Sequence, residues 1–307
     1  MSTFNSGISG TLSGCFTALI TPLRDDQIDD VALRTLVQRQ IAGGVSGLVP
    51  CGTTGEAPAL SASEWDRVVS VVIETADGRV PVLAGTGSNN TATVIERTRR
   101  AGMLGADGAL VVTPYYNRPT QEGLYRHFAV IAESVDLPIV LYNVPGRTGV
   151  NLLPETVVRL ADIPGIVGIK EASGSLDQAS QIVREATDGF VVVSGDDSLT
   201  LPMMGVGASG VISVVSNIAP EAVSALTSAC LAGDFRSGRE IHLELFDLCR
   251  AMFVETNPTP VKTAAALLAH CSPEVRLPLA PLSEAAQRRV ETALAAWQAT
   301  ATAALAA

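Results

Sequence analysis

The chain has 307 residues, 47% of them hydrophobic and 17% charged, with a mean hydropathy of +0.31 and a formal net charge of −10. That apolar content suffices for a large core and excludes a disordered chain, while an acidic protein without any Lys/Arg block lacks the concentrated positive charge that nucleic acid or an anionic membrane requires. No apolar stretch reaches the ~18 residues of a membrane span, no basic residue precedes Arg24, and the five scattered cysteines have no C-x-x-C spacing, so a cytoplasmic protein with reduced thiols is expected.

Along the chain, eight short apolar, β-branched runs have the length of buried strands: 15–20, 47–50, 80–84, 109–112, 138–142, 166–170, 190–194 and 210–214. Segments of helical period separate them, with start signals at Asp29, at Ser61-Ala62-Ser63-Glu64 (a capping box), at Asn89 and at Pro154. Strands that alternate with helices in this way lie parallel under a helical cover, and eight such units predict an α/β fold, a (β/α)8 TIM barrel. Residues 1–230 are expected to form the barrel. Residues 231–307 contain helical patterns without strands, broken at Asn257-Pro258-Thr259-Pro260, and are expected to form a C-terminal helical extension.

Reactive groups of such a barrel sit at the C-terminal ends of its strands. The 21 basic residues include only two lysines, Lys170 and Lys262. Routine charge is therefore arginine, and a lysine that remains is a candidate for work arginine cannot do. Strand alternation over 166–170 places Ile166, Gly168 and Lys170 on one face and Val167 and Ile169 on the other. With Lys170 turned inward at the barrel mouth, desolvation disfavours the ammonium and favours an amine that attacks a ketone carbonyl to give a Schiff base. The bland alternative is a strand-end lysine paired with Glu171 or reaching solvent.

Other strand ends supply matching chemistry. Tyr142, which can relay a proton, is followed by Val144-Pro145-Gly146-Arg147, a rigid loop whose arginine can clamp a carboxylate. Tyr115-Tyr116 follows another strand, so three of the four tyrosines map to one rim. Gly52-Thr53-Thr54-Gly55-Glu56 offers backbone N–H groups and hydroxyls to a carboxylate. Ser194-Gly195-Asp196-Asp197 closes strand seven, with Asp197 the expected helix cap. The G-x-G-x-x-G match at 205–210 precedes a strand instead of following one, so no dinucleotide site is expected. His127, His242 and His270 lack ligand spacing and read as packing or helix-surface residues; no metal or cofactor is expected.

Taken together, Gly14-Cys15-Phe16-Thr17-Ala18, Gly52-Thr53-Thr54-Gly55-Glu56, Pro114-Tyr115-Tyr116-Asn117, Tyr142 through Thr148, Gly168-Ile169-Lys170-Glu171, Ser194-Gly195-Asp196-Asp197, Gly210-Val211-Ile212-Ser213 and Asn257-Pro258 resemble the dihydrodipicolinate synthase family within the N-acetylneuraminate lyase superfamily. The resemblance implies a homotetramer, a dimer of dimers, that condenses pyruvate with L-aspartate 4-semialdehyde on the diaminopimelate route to lysine. It assigns the Schiff base to Lys170, a proton relay to Tyr142, Thr53 and Tyr116, with Tyr116 reaching in from a neighbouring subunit, the semialdehyde carboxylate to Arg147, and the pyruvate carboxylate to Thr54. Gly195, Asp196 and the Ile212 backbone would line the pocket.

One region departs from lysine-inhibited members of that family: it reads Ala57-Pro58, Ala62, Trp65 and Thr93, with Asn89 and Tyr115 retained. Without a carboxylate at Thr93, weak or absent lysine feedback is expected. The same scaffold also serves aldolases and dehydratases of 2-keto-3-deoxy sugar acids or sialic acid, from which Arg147 discriminates. A non-catalytic keto-acid sensor would have no use for a proton relay.

Overall fold

The computed structural model describes residue 8 and residues 10–306, with side chains through residue 300. Eight parallel strands make one sheet: β1 (Gly14–Ala18), β2 (Gly47–Val49), β3 (Leu83–Gly85), β4 (Gly108–Val112), β5 (Ile139–Asn143), β6 (Ile166–Glu171), β7 (Val191–Ser194) and β8 (Gly210–Ser213). Their order, β2-β1-β8-β7-β6-β5-β4-β3, leaves β2 and β3 at the two ends. A parallel bridge between Leu48 and Val82 joins those ends, as do the bonds from Leu48 N–H to Pro81 O (3.0 Å) and from Gly85 N–H to Pro50 O (2.9 Å). The sheet thus closes into the expected barrel.

Both faces of each strand are apolar because both are covered. On β4 and β5, Leu110, Val140 and Tyr142 face the interior with Phe16, Val49, Leu83, Val193 and Ile212, while Ala109, Val111, Ile139 and Leu141 pack outward against helices. Ile8 and Leu12 belong to the interior cluster and close it from the N-terminal ends of the strands. Full burial of side chains of this size contributes about 1.5–3 kcal/mol each.

The first barrel helices are α1 (Asp30–Ala42), α2 (Ala62–Ala76), α3 (Thr91–Leu104) and α4 (Gln121–Ser134). They are followed by α5 (Pro154–Ala161), α6 (Leu176–Glu185), α7 (Thr200–Gly205) and α8 (Pro220–Leu231). Asp29 caps α1, and Ser61 with Glu64 forms the capping box of α2. The cap of α3 is Asn90, one residue beyond the expected Asn89, because its side chain accepts from both Ala92 and Thr93 N–H. Gly205 ends α7 and Gly210 opens β8, so the G-x-G-x-x-G match has the wrong context for a dinucleotide.

Beyond the barrel come α9 (Phe235–Ala251), α10 (Thr259–Leu267) and α11 (Glu284–Ala306). Their Leu245, Leu248, Val261, Ala264, Val290 and Leu294 share one core with the α1, α2 and α8 side of the barrel. No helix among the described residues is long and apolar enough to cross a membrane.

One strand departs from simple alternation. A register shift beside Ile139/Val140 pairs Ile139 with Ile166 but Val140 with Gly168. Ile166 consequently packs outward and Val167 against the interior cluster, the reverse of expectation, while Gly168 and Lys170 keep the inward face of their partners Val140 and Tyr142. A bulge adds one residue and inverts the pattern on its N-terminal side only.

Candidate active site

At the C-terminal ends of the strands, a cavity of about 370 Å³ is lined by Thr53, Tyr142, Arg147 and Tyr115, among others. Tyr142 and Lys170 are register partners on β5 and β6, and the Lys170 Nζ stands 4.5 Å from the centroid of the Tyr142 ring. Both side chains are buried, at 7% and 5% exposure. An ammonium over an aromatic face is held by the ring quadrupole, which also orients the nitrogen.

Glu171 is not the partner of Lys170. Its side chain lies on the opposite face of β6, where it accepts from Asn143 Nδ2 (3.0 Å), Gln178 Nε2 (3.0 Å) and Ser173 N–H (2.6 Å). Among the described residues Lys170 forms no ion pair, so its amine is not committed to a carboxylate. This removes the bland reading of the lysine. Gly195, in the loop after β7, makes room for it: a Cβ there would stand 3.0 Å from Lys170 Cε and 2.6 Å from Ala172 Cβ.

The helix cap in that loop is not the expected one. Asp196, not Asp197, caps the turn at Asp197–Leu199, accepting from Ser198 N–H (3.0 Å). Asp197 is buried and joins β7 to the segment after β8, accepting from the Ser213 hydroxyl and from Val214 N–H (2.9 Å). Burial raises its pKa, against the lowering influence of those hydrogen bonds. The carboxylate that sequence assigned to a helix cap therefore ties the loop after β7 to the segment after β8. Ile212 lies on β8 in the interior cluster.

On the opposite side, Thr53 lines the cavity and Thr54 is buried, its hydroxyl accepting from Asn257 Nδ2 (3.0 Å). Arg147 rides on the helical turn Pro145–Thr148, exposed at the rim, and donates to the Asn257 carbonyl (3.3 Å). Cys51 also lines the cavity, but burial pushes its thiol pKa well up, which leaves it unreactive. Of the expected site residues Thr53, Tyr142 and Arg147 line the cavity, and Tyr116 does not. It is 88% exposed, at φ 71°, with its N–H on the Thr148 carbonyl (3.3 Å). The structure brings Lys170, Tyr142 and Gly195 together on the strand side and Thr54 and Arg147 together through Asn257, with Thr53 beside them; Tyr116 is exposed and does not line this chain's own cavity.

The profile of the Dihydrodipicolinate synthetase family matches residues 11–297. The chain belongs to the dihydrodipicolinate synthetase family. Like its family it is an enzyme, a lyase of the Schiff-base type. Its relatives include a 4-hydroxy-tetrahydrodipicolinate synthase of Thermomicrobium roseum, 59% identical over 92% of this chain and 94% of the relative. Another, of Pelobacter propionicus, is 57% identical over 89% of this chain and 94% of its own length. Among solved structures, the dihydrodipicolinate synthase of Acinetobacter baumannii, complexed with pyruvate, is 44% identical, with a TM-score of 0.92 over 94% of this chain and 99% of that one.

Two contacts of this family member escaped the sequence reading of its site. Asn257 was noted only within a motif, and its hydrogen bond to Thr54 spans more than 200 positions, beyond any local pattern. Lys262 is held in a buried pair that no local pattern announces. Its Nζ lies 2.7 Å from Glu56 Oε1, both side chains being fully buried. The signal was available in the composition: the second of two lysines, set in the apolar run of α10.

Proposed function

We propose that this enzyme condenses pyruvate with L-aspartate 4-semialdehyde to give 4-hydroxy-tetrahydrodipicolinate, with Lys170 as the Schiff-base residue. The Lys170 amine attacks the C2 carbonyl of pyruvate, and the carbinolamine loses water to form the imine. The imine then releases a C3 proton to give an enamine, whose C3 attacks the semialdehyde aldehyde carbon. The new alkoxide takes up a proton. The semialdehyde's amino group then adds to the imine carbon, closing the ring and displacing the lysine.

Tyr142, above which Lys170 sits, is the group placed to carry protons to and from the carbinolamine. The Thr53 hydroxyl continues the relay. Arg147, which lines the cavity, holds the semialdehyde carboxylate through its guanidinium; the Thr54 region binds the pyruvate carboxylate, with Gly195, Asp196 and the Ile212 backbone assigned to the pocket by the family resemblance. Tyr116 acts from a second copy of the chain, in a homotetramer built as a dimer of dimers. A bulky side chain held at φ 71° and 88% exposed supports that reading, since strain of this kind persists where surrounding structure gives it a use.

The observation that carries the proposal is Lys170 itself: inward on β6, without a carboxylate partner among the described residues, set over the Tyr142 ring and given room by Gly195. Borohydride reduction in the presence of pyruvate, followed by peptide mass mapping, tests it. An adduct on Lys170 is expected; an unmodified Lys170 would falsify the Schiff-base assignment. A coupled assay comparing the semialdehyde with 2-keto-3-deoxy sugar acids then tests the substrate, with turnover expected only for the semialdehyde.

A further inference from the structure

Thr53 and Thr54 are not carried by the sheet. They follow β2, a strand of three residues, in a loop whose two ends, Cys51 (φ 54°) and Glu56 (φ 55°), both lie in the left-handed region. Non-glycine residues persist there only where neighbouring structure holds them. Within the loop, Gly55 N–H bonds to Gly52 O (3.1 Å) and Glu56 N–H to Thr53 O (3.1 Å). These bonds shape the turn without anchoring it to the pocket.

One anchor is the barrel's own, the Thr21 hydroxyl donating to Gly55 O at 2.7 Å; the anchors on Thr54 and Glu56 come from the extension. Lys262 on α10 meets Glu56 Oε1 at 2.7 Å with both side chains excluded from solvent, and the other carboxylate oxygen accepts from Arg276 N–H at 2.9 Å. Asn257 Nδ2 donates to the Thr54 hydroxyl at 3.0 Å. The Asn257 carbonyl accepts from Arg147, so the same residue touches the rim arginine. Arg276 also reaches the Ala59 carbonyl at 3.1 Å and the Glu64 carboxylate at 2.6 Å, tying down the start of α2.

A buried ion pair is weak evidence for stability, because desolvating both charges offsets much of their attraction. Its directional value is greater: a 2.7 Å contact without solvent admits little displacement of the loop. We propose that segment 257–276 is the positioning element of the Thr53–Thr54 loop, with the Glu56–Lys262 pair and Asn257 as positioning residues that set where the Thr54 hydroxyl meets the pyruvate carboxylate. The extension thereby governs pyruvate binding although it contributes no group to the reacting lysine. This rests on the assignment of Lys170 and Thr54 above.

The test separates positioning from mere stability. Lys262→Met alone leaves the Glu56 carboxylate buried without a counter-ion and is expected to lower Tm sharply. The double variant Lys262→Met with Glu56→Gln removes both charges at similar volume and is expected to recover most of that loss. If the pair positions the loop, the double variant still requires at least about 10-fold more pyruvate for half-maximal borohydride adduct on Lys170, with a smaller change in the maximal extent. A double variant that matches the parent in Tm and in half-saturating pyruvate overturns the proposal. Should it not fold, Asn257→Ala decides: a pyruvate requirement raised about five-fold or more with unchanged circular dichroism supports positioning, and an unchanged requirement overturns it. Adduct formation in the parent, measured alongside, distinguishes failure of this proposal from failure of the Schiff-base assignment.

Discussion

The two sides of the pocket are built by different means. Tyr142 and Lys170 sit on adjacent strands as register partners, and Lys170 pairs in turn with Val193 on β7, so continuous parallel ladders set their relative heights. Thr53, Thr54 and Arg147 sit on loops whose positions depend on residues far along the chain, chiefly Asn257 and Lys262. A ladder fixes a side chain through many backbone bonds, and losing one of them moves it little. A loop held by a few side-chain contacts is adjustable at each, which suits groups that select a substrate. The proposed Schiff-base lysine thus stands on the rigid side and the groups proposed to bind carboxylates on the tunable side.

The largest expected effect breaks the rigid side at its centre. Lys170→Arg keeps the charge and much of the volume, yet an arginine does not yield a neutral amine, so kcat should fall by about 10⁴ or more and the borohydride adduct should vanish. Steady-state assay with intact-mass analysis checks both. Retained adduct formation elsewhere in the chain would show that the amine lies outside this ladder.

Next in size is Gly195→Ala. The new Cβ would press on Lys170 Cε at 3.0 Å and on Ala172 Cβ at 2.6 Å, turning the amine from its place over Tyr142. A loss of about 10² in kcat is expected, with overpacking costing about 1–3 kcal/mol in stability. Wild-type kinetics in this variant would mean that the loop after β7 yields more easily than a ladder-backed wall should.

On the adjustable side, Arg147→Leu should raise the KM for the semialdehyde roughly 10- to 100-fold, the worth of hydrogen bonds to a charged group, and leave half-saturating pyruvate nearly unchanged. A KM shift for pyruvate instead would reassign the two carboxylates.

Away from both sides, His127 on α4 provides a pH-dependent control. Its Nδ1 meets the Thr91 hydroxyl at 2.9 Å, its Nε2 is buried without a partner, and burial lowers its pKa to about 4. An unfolded histidine takes its proton near 6.5. Between those values the unfolded state binds more protons, so the stability from neutral His127 is complete above about pH 6.5 and is lost as pH falls towards 4. The loss amounts to at most about 3 kcal/mol. His127→Gln should flatten the Tm–pH curve over this interval, and an unchanged slope would place the acid sensitivity elsewhere. The smallest expected effect concerns feedback: with threonine at 93, L-lysine at about 1 mM should alter the initial rate less than about two-fold.

What local pattern could deliver, the sequence delivered. Eight apolar runs between helical segments specified the barrel, because strand and helix periods and their order are properties of neighbouring residues. The scarcity of lysine, together with alternation along β6, placed Lys170 inward at the mouth. Even there the bulge at Val167 was invisible, since a one-residue register shift arises from the pairing with β5. That Asp196 rather than Asp197 caps the turn was equally hidden: both lie in one dipeptide, and which caps the turn depends on where Ser213 and Val214 arrive from β8.

By itself, then, the sequence determined the barrel, the inward position of Lys170 and a set of polar groups at the strand ends. Tertiary structure alone decided how those groups are held. Asn257 meets Thr54 and Lys262 meets Glu56 only because closure of the barrel and the return of the extension over β2 bring together residues some 200 positions apart. Hydrogen bonds and buried charges act over a few ångströms of space, and no periodicity along the chain records that proximity.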